Sequence, residues 1–276
     1  MVFKTLELKS PLDKFIESIF YFKHFLPEHS IERVVPTGHV FIIFELDGIQ
    51  RNTFNNKTLK PNGTFSNVWV SGAHKNYLSI SAHQDSEMFV IQFKPFGAYP
   101  FFQFPIYELN DKVIPAQEIF GKEILDLRQL VLNRPTPTEK FNLVENWLKS
   151  KLDITKYPDK TLMLTINQFI NQPLSNHNTI VNAYPKTQKH LISQFKKFCG
   201  HTPKVFHRIF RFNDILQQIN NEQQISWSQI AYLSGYADQS HFIKEFKEFS
   251  GFNPQEFIKH EFNKGETNFF PLNRQG

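Results

Sequence analysis

Cysteine is nearly absent: Cys199 stands alone among 276 residues, so the chain can form no internal disulfide and no thiolate metal centre. Long apolar runs are also missing. The most apolar stretch, residues 88 to 104, is broken by Lys94, Pro95, Gly97 and Pro100 and is unsuited to crossing a membrane. No basic segment followed by an apolar run opens the sequence at Met1, so no signal peptide is expected and a reducing, cytoplasmic setting is. A glycine-rich phosphate loop, a nucleophile elbow and a Ser/His/Asp arrangement are likewise lacking. The expectation is a protein without cofactor or metal that is not an enzyme.

Phenylalanine is plentiful instead. Its 31 copies lift aromatics to 15%, enough to fill two cores in a chain of this length. Net charge is +5, and residues 178 to 264 hold eleven lysines and arginines against seven carboxylates, a surplus of four. Most of the cationic excess therefore lies in the C-terminal third, a mild bias towards an anionic partner.

That same third contains a repeat. Shifted by 51 positions, residues 187 to 206 overlay residues 238 to 257 with nine identities in twenty, including His190/His241, Ile192/Ile243, Phe195/Phe246, Gly200/Gly251 and Pro203/Pro254. Each copy reads as a short helix. Thr187 and Asp238 suit the N-cap, and Gly200 and Gly251 suit the left-handed residue after the last turn. Leu191, Phe195 and Phe198, matched by Phe242, Phe246 and Phe249, recur at helical spacing and predict a buried face. Thr202-Pro203 and Asn253-Pro254 start another helix at once. Before the second copy, residues 225 to 236 read as a helix capped by Ser226 and stopped at Gly235, with Ile230, Ala231 and Leu233 inward. Residues 178 to 184 play that part for the first copy, with Pro185 at the turn. Helix, tight turn, polar-faced helix is the helix-turn-helix layout, whose second helix enters a DNA major groove.

The run Ile230-Ala231, Gly235-Tyr236, Asp238 to Phe242, then Phe246-Lys247, Phe249, Gly251 and Asn253-Pro254 resembles the signature of AraC/XylS-family transcription regulators. Tyr236 replaces the usual phenylalanine and Asn253 the usual threonine, which keeps an N-cap. The resemblance implies an all-α domain with two helix-turn-helix motifs joined by a long helix, here residues 203 to 220 with Phe206, Ile209, Ile215, Leu216 and Ile219 buried. It also implies double-stranded DNA as partner, a homodimer, contact with RNA polymerase, and no membrane association. Carried over by position, base-reading residues are Gln188, Lys189 and Ser193 in the first recognition helix and Gln239, Ser240 and Lys244 in the second. Gln suits adenine, Lys guanine and Ser either. Lys196, Lys197, Arg211 and Lys247 are the expected phosphate contacts.

The front of the chain alternates differently. Residues 15 to 22, 39 to 46, 68 to 70 and 88 to 93 are β-branched or aromatic runs punctuated by Pro36-Thr37-Gly38, Asp47-Gly48, Asn62-Gly63 and Gly72. They predict an antiparallel, cupin-like β-barrel, with residues 51 to 60 as an exposed loop. Helical periodicity follows over 115 to 132 and 138 to 152. The fold expectation is α+β in two domains. A β-rich sensing and dimerisation domain spans 1–152, a linker 153–160, the DNA-binding domain 161–264 and a loose tail 265–276. In family terms such a barrel holds an effector, here a small apolar or aromatic molecule. A regulator that senses nothing remains an alternative. A metal-dependent cupin-type enzyme with an accessory helical domain is the other, resting on His39, His74, His83 and Glu87, which lack the close histidine pair of cupin metal sites.

Overall fold

The computed structural model describes residues 1–220, 222, 225–264 and 268–272. Its strands are β1 (Val2–Thr5), β2 (Ile16–Phe25), β3 (Ile31–Val34), β4 (Phe41–Glu45), β5 (Arg51–Phe54), β6 (Pro61–Phe65), β7 (Val68–Ser71), β8 (Leu78–Ser81), β9 (Ser86–Phe93), β10 (Val113–Pro115) and β11 (Phe269–Pro271). They form two antiparallel sheets, one ordered β1-β2-β9-β4-β7-β10 and the other β11-β3-β8-β5-β6. The four apolar runs of the sequence lie in β2, β4, β7 and β9, adjacent members of the first sheet.

Period-two alternation sorts that sheet into two faces. Ile42, Phe44, Val68, Val70, Phe89 and Ile91 share one core with helices α1 (Tyr99–Phe102), α2 (Gln117–Phe120), α3 (Glu123–Leu132) and α4 (Pro137–Lys151). From those helices Phe101, Ile124, Leu127, Phe141, Val144 and Leu148 pack against it. Ile43, Trp69 and Val90 look the other way, towards Phe65 and Ile80 of the second sheet. Fully burying one such side chain stabilises the fold by about 1.5–3 kcal/mol, and both faces of this sheet contribute such side chains. Thr136 and Glu139 form a capping box that starts α4 with Pro137 in its first turn.

The helices that follow are α5 (Lys160–Asn171), α6 (His177–Asn182), α7 (Gln188–Cys199), α8 (Pro203–Gln218), α9 (Trp227–Leu233), α10 (Gln239–Ser250) and α11 (Pro254–Lys259). Helix α8 bridges two cores. Its Phe206 belongs to the large core that also holds Leu162, Phe169, Leu191 and Phe195. Its Ile209, Phe212, Ile215 and Leu216 belong to a second core with Phe242, Phe246, Phe249 and Phe257.

Two expectations need correction. Residues 51 to 60 are not wholly an exposed loop. Residues 51–54 form β5, and Arg51 is buried, pairing through Nη2 with Asp47 at 2.5 Å and Glu45 at 3.1 Å. A polar run is β-competent here because Glu45 and Asp47 supply buried carboxylates to its arginine. Residues 153–160, expected as the linker, are not unattached. The Asp153 amide donates to the Pro100 carbonyl at 3.0 Å, Tyr157 packs edge-on against Phe15, and Asp159 caps α5. Nor is the tail loose where it is described: β11 pairs with β3, and Phe270 is fully buried against Phe257 and Phe262. Among the described residues no helix is long and apolar enough to cross a membrane.

Candidate nucleic-acid interface

Both repeat helices form where the caps predict. Thr187 accepts from the His190 amide at 3.2 Å and Asp238 from the His241 amide at 2.8 Å. Each helix ends on a glycine at positive φ, +81° at Gly200 and +78° at Gly251. Leu191, Phe195, Phe198, Phe242, Phe246 and Phe249 are all buried. The opposite faces are exposed: Gln188, Lys189, Ser193 and Lys196 on α7, and Gln239, Ser240, Lys244 and Lys247 on α10.

The turn before each recognition helix contains a buried tyrosine in ring contact with the repeated histidine. Tyr184 lies in the first turn, its hydroxyl 3.0 Å from His190 Nδ1 and its ring stacked on the imidazole. Tyr236 follows Gly235 in the second turn and meets His241 edge-on, ring centroids 5.5 Å apart. The two tyrosines stand one position apart in the repeat, since Tyr184 aligns with Gly235 and Pro185 with Tyr236. A tyrosine–histidine contact is thus reached in both turns, stacked in the turn that lacks glycine and edge-on in the other.

Two expected phosphate contacts are engaged elsewhere. Arg211 donates to Glu245 Oε1 at 2.7 Å and lies 4.2 Å from the Tyr236 ring centre. Lys197 sits with its ammonium 4.7 Å from the ring centre of Tyr99 on α1. Neither was separable in sequence from the exposed lysines, because a helical wheel does not show which neighbour covers a flank. Leu233, expected inward, is 55% exposed, while Ala231 and Ser234 are buried in that helix and its end. Ser226 stands at the N-cap of α9 without a side-chain cap bond.

A buried ion cluster on α10 escaped sequence reading. Glu245 is 2% exposed, accepts from Arg208 Nε, Arg211 Nη2 and the Tyr236 hydroxyl, each at 2.7 Å, and Arg208 also reaches Glu248 at 2.7 Å. Burial alone would raise the Glu245 carboxyl, but Arg211, Tyr236 and Arg208 together hold it below its ordinary range. Burial beside that carboxylate pushes the Tyr236 hydroxyl up. With both carboxylates of α10 turned onto α8, the outward face keeps Lys244 and Lys247 without competing acids from its own helix. One signal was available, a carboxylate in the middle of an apolar face with two arginines on the joining helix.

The N-terminal domain touches both recognition helices at their glycine ends. Asn110 Nδ2 donates to the Gly200 carbonyl at 2.7 Å, and a Cβ on Gly200 would come within 2.5 Å of Asn110 Oδ1. Arg33 of β3 lies against Gly251, where a Cβ would meet its Nη1 at 2.6 Å, and its guanidinium covers the Phe252 ring at 4.3 Å. Further along, Asn213 of α8 donates to the Pro36 carbonyl at 2.8 Å.

The four metal candidates are dispersed. His74 meets Ser71 Oγ at 3.0 Å, His83 meets Ser81 Oγ at 2.9 Å, Glu87 accepts from Tyr21 at 2.8 Å, and His39 packs near Phe41. Among the described residues no three His, Cys, Asp or Glu side chains gather as a metal-binding group. Cys199 is buried, and burial raises its thiol well above the usual range.

Comparison with known proteins gives two family matches. A family described as a domain of unknown function, DUF6597, matches residues 7–115, and one described as a helix-turn-helix domain matches residues 181–260. No curated protein matches. Among solved structures, apo ToxT K231A from Vibrio cholerae strain SCE256 is 13% identical, covering 87% of this chain and 97% of its own, with a TM-score of 0.45. A second ToxT structure from Vibrio cholerae, at 1.65 Å resolution, is 14% identical over 88% of this chain and 98% of its own, with a TM-score of 0.44. The xylose-binding transcription activator XylR is 14% identical over 54% of this chain and 40% of its own, with a TM-score of 0.32. At such scores the assignment stands on the matched segment and on the two capped, tyrosine-braced motifs within this chain. The C-terminal part of the chain is an AraC-type helix-turn-helix domain that carries the motif twice.

Proposed function

We propose that this protein is a sequence-specific DNA-binding transcription regulator that reads two successive major grooves with α7 and α10. The observation that carries this is the equivalence of the two exposed faces. Both are polar, both bear lysines, and both are presented by helices with a side-chain N-cap, a glycine end and a buried tyrosine against the repeated histidine. Gln188, Lys189 and Ser193, with Gln239, Ser240 and Lys244, are the base readers in this proposal, and Lys196 and Lys247 the phosphate contacts. Two readers about 34 Å apart would meet one face of the duplex one turn apart. Phosphate contacts make such binding fall steeply with salt.

The N-terminal domain is the sensing part of the same proposal, bounded at about residue 152, and the chain acts as a homodimer. Half-buried Phe20, Phe22, Phe41, Phe65, Ile80 and Met88 pack around Ile43, Trp69 and Val90 as an apolar, largely aromatic surface, whose chemistry suits a small apolar or aromatic effector. An effector there would act through the Asn110–Gly200 and Arg33–Gly251 contacts, by binding one arrangement of the domains better than another.

Selection of the full chain against a random double-stranded DNA library, followed by sequencing and a salt titration, tests the DNA reading. A bipartite motif with half-sites about 10 base pairs apart supports it. Binding without sequence preference removes the regulator claim. A panel of apolar and aromatic compounds that moves neither the melting temperature nor the DNA affinity removes the effector.

A further inference from the structure

We propose that Ile192 and Ile243 are specificity-determining residues that read thymine 5-methyl groups, one in each half-site. This rests on the DNA-binding reading above and extends it to the class of base recognised.

The two isoleucines are identical residues at equivalent positions of the repeat. They are 39% and 37% exposed, and neither packs against a hydrophobic core among the described residues. A single exposed apolar side chain needs no explanation. Two at the same place in two diverged copies do, because neighbouring positions have drifted: Lys189 became Ser240 and Ser193 became Lys244. Folding of the domain does not account for an isoleucine at both sites. A β-branched residue is also a poorer helix former than the alanine or lysine that the position would otherwise admit.

Their neighbours say what covers them. Ile192 has Gln188 and Lys196 one turn away on either side, and Ile243 has Gln239 and Lys247 in the same relation. All four are exposed. Each isoleucine therefore stands between an amide that can bond adenine and a cation that can meet phosphate. An apolar protein partner would have to desolvate those lysines without returning a charge, whereas a DNA groove supplies the phosphates that match them. Within the major groove the only apolar feature on a base edge is the thymine methyl. Isoleucine in a helix is nearly confined to one χ1 rotamer, so its own methyl groups are pre-positioned and little rotamer entropy is lost on contact.

The test uses the full chain and the operator recovered by selection, with each thymine replaced in turn by deoxyuridine, which removes the methyl and keeps the base pair. The natural protein is expected to lose roughly 3- to 5-fold in affinity at one thymine or more in each half-site, the worth of one buried methyl. Ile192→Ala should abolish that penalty in one half-site only, and Ile243→Ala in the other. Both variants change exposed helical positions to a better helix former, and retained melting temperatures would certify their folds. Uracil scanning without a penalty, or a penalty that persists in the matching variant, overturns the assignment while leaving sequence-specific binding intact. Failure to recover any operator overturns the assignment together with the functional reading on which it rests.

Discussion

The side-chain amide of Asn110 donates to the Gly200 carbonyl at 2.7 Å, joining the N-terminal domain to the residue that ends the first recognition helix. Arg33 packs against Gly251 at the end of the second, where a Cβ would meet its Nη1 at 2.6 Å. A carbonyl at a helix C-terminus has no partner within the helix, so Asn110 satisfies a group that would otherwise be stranded at a buried junction. Asn110→Ala is expected to destabilise the protein by about 1–3 kcal/mol through that unsatisfied carbonyl. Thermal unfolding followed by circular dichroism measures it. An unchanged melting temperature would mean that water replaces the amide and that the junction is not mechanically coupled to α7.

Glu245 neutralises Arg208 and Arg211 at once and accepts from Tyr236. Glu245→Ala leaves the Arg211 guanidinium and the buried Tyr236 hydroxyl without their acceptor and Arg208 with Glu248 alone, and the expected cost is about 3–5 kcal/mol in the C-terminal domain. The pH dependence has a definite sign. The native carboxyl is held below its ordinary value, so its contribution is complete above the ordinary carboxylate range and is lost as pH falls through the native value. Denaturant titrations between neutral and acid pH should therefore show the natural protein losing stability on acidification and the variant losing less. Parallel curves would show that another group dominates the acid limb.

Phe270 is fully buried among Phe257 and Phe262, carried there by a strand that belongs to the N-terminal sheet. Phe270→Ala should cost about 3–5 kcal/mol as a large-to-small change in a packed core. It should also speed hydrogen exchange at the Val35 and Leu272 amides, which bond across the β11–β3 junction. Exchange confined to the helices would show that the strand holds without its phenylalanine.

What the sequence made legible follows from where each signal lives. The recognition helices were readable because caps, apolar spacing and glycine stops are local, and a repeat presents them twice. The strands β2, β4, β7 and β9 were readable because the first sheet is apolar on both faces. Strand β5 was not, since Arg51 lies buried only by virtue of Glu45 and Asp47 six and four residues earlier, a pairing no period reveals. Strand β11 was missed because its partner β3 lies more than 230 residues away along the chain. Arg211 and Lys197 were assigned to phosphate on charge and position, and only tertiary neighbours, Glu245 and Tyr99, show them occupied.

That difference among cations separates two adjacent lysines in solution. Lys196 is exposed and Lys197 lies over Tyr99. Each phosphate contact removed should lower the slope of log affinity against log salt by about 0.9. Lys196→Ala and Lys247→Ala are expected to do so and to weaken all sequences alike, while Lys197→Ala leaves the slope unchanged. A reduced slope for Lys197→Ala would mean that the Tyr99 contact opens when DNA binds.

Lys244 is the sharpest single test of base reading. It is exposed on α10 one turn beyond Ser240, and the carboxylate of the next residue, Glu245, points away into the arginine cluster. Its ammonium is therefore free to donate to guanine O6 and N7, the pairing that a lysine makes in the major groove. Lys244→Ala should cost about 1–3 kcal/mol at the selected operator and relax discrimination at one base pair, with little loss on unrelated DNA. Competition titrations against operators altered one position at a time measure this. Equal losses on every sequence, with a flatter salt dependence, would place Lys244 on a phosphate, and base reading on α10 would then fall to Gln239, Ser240 and Ile243 alone.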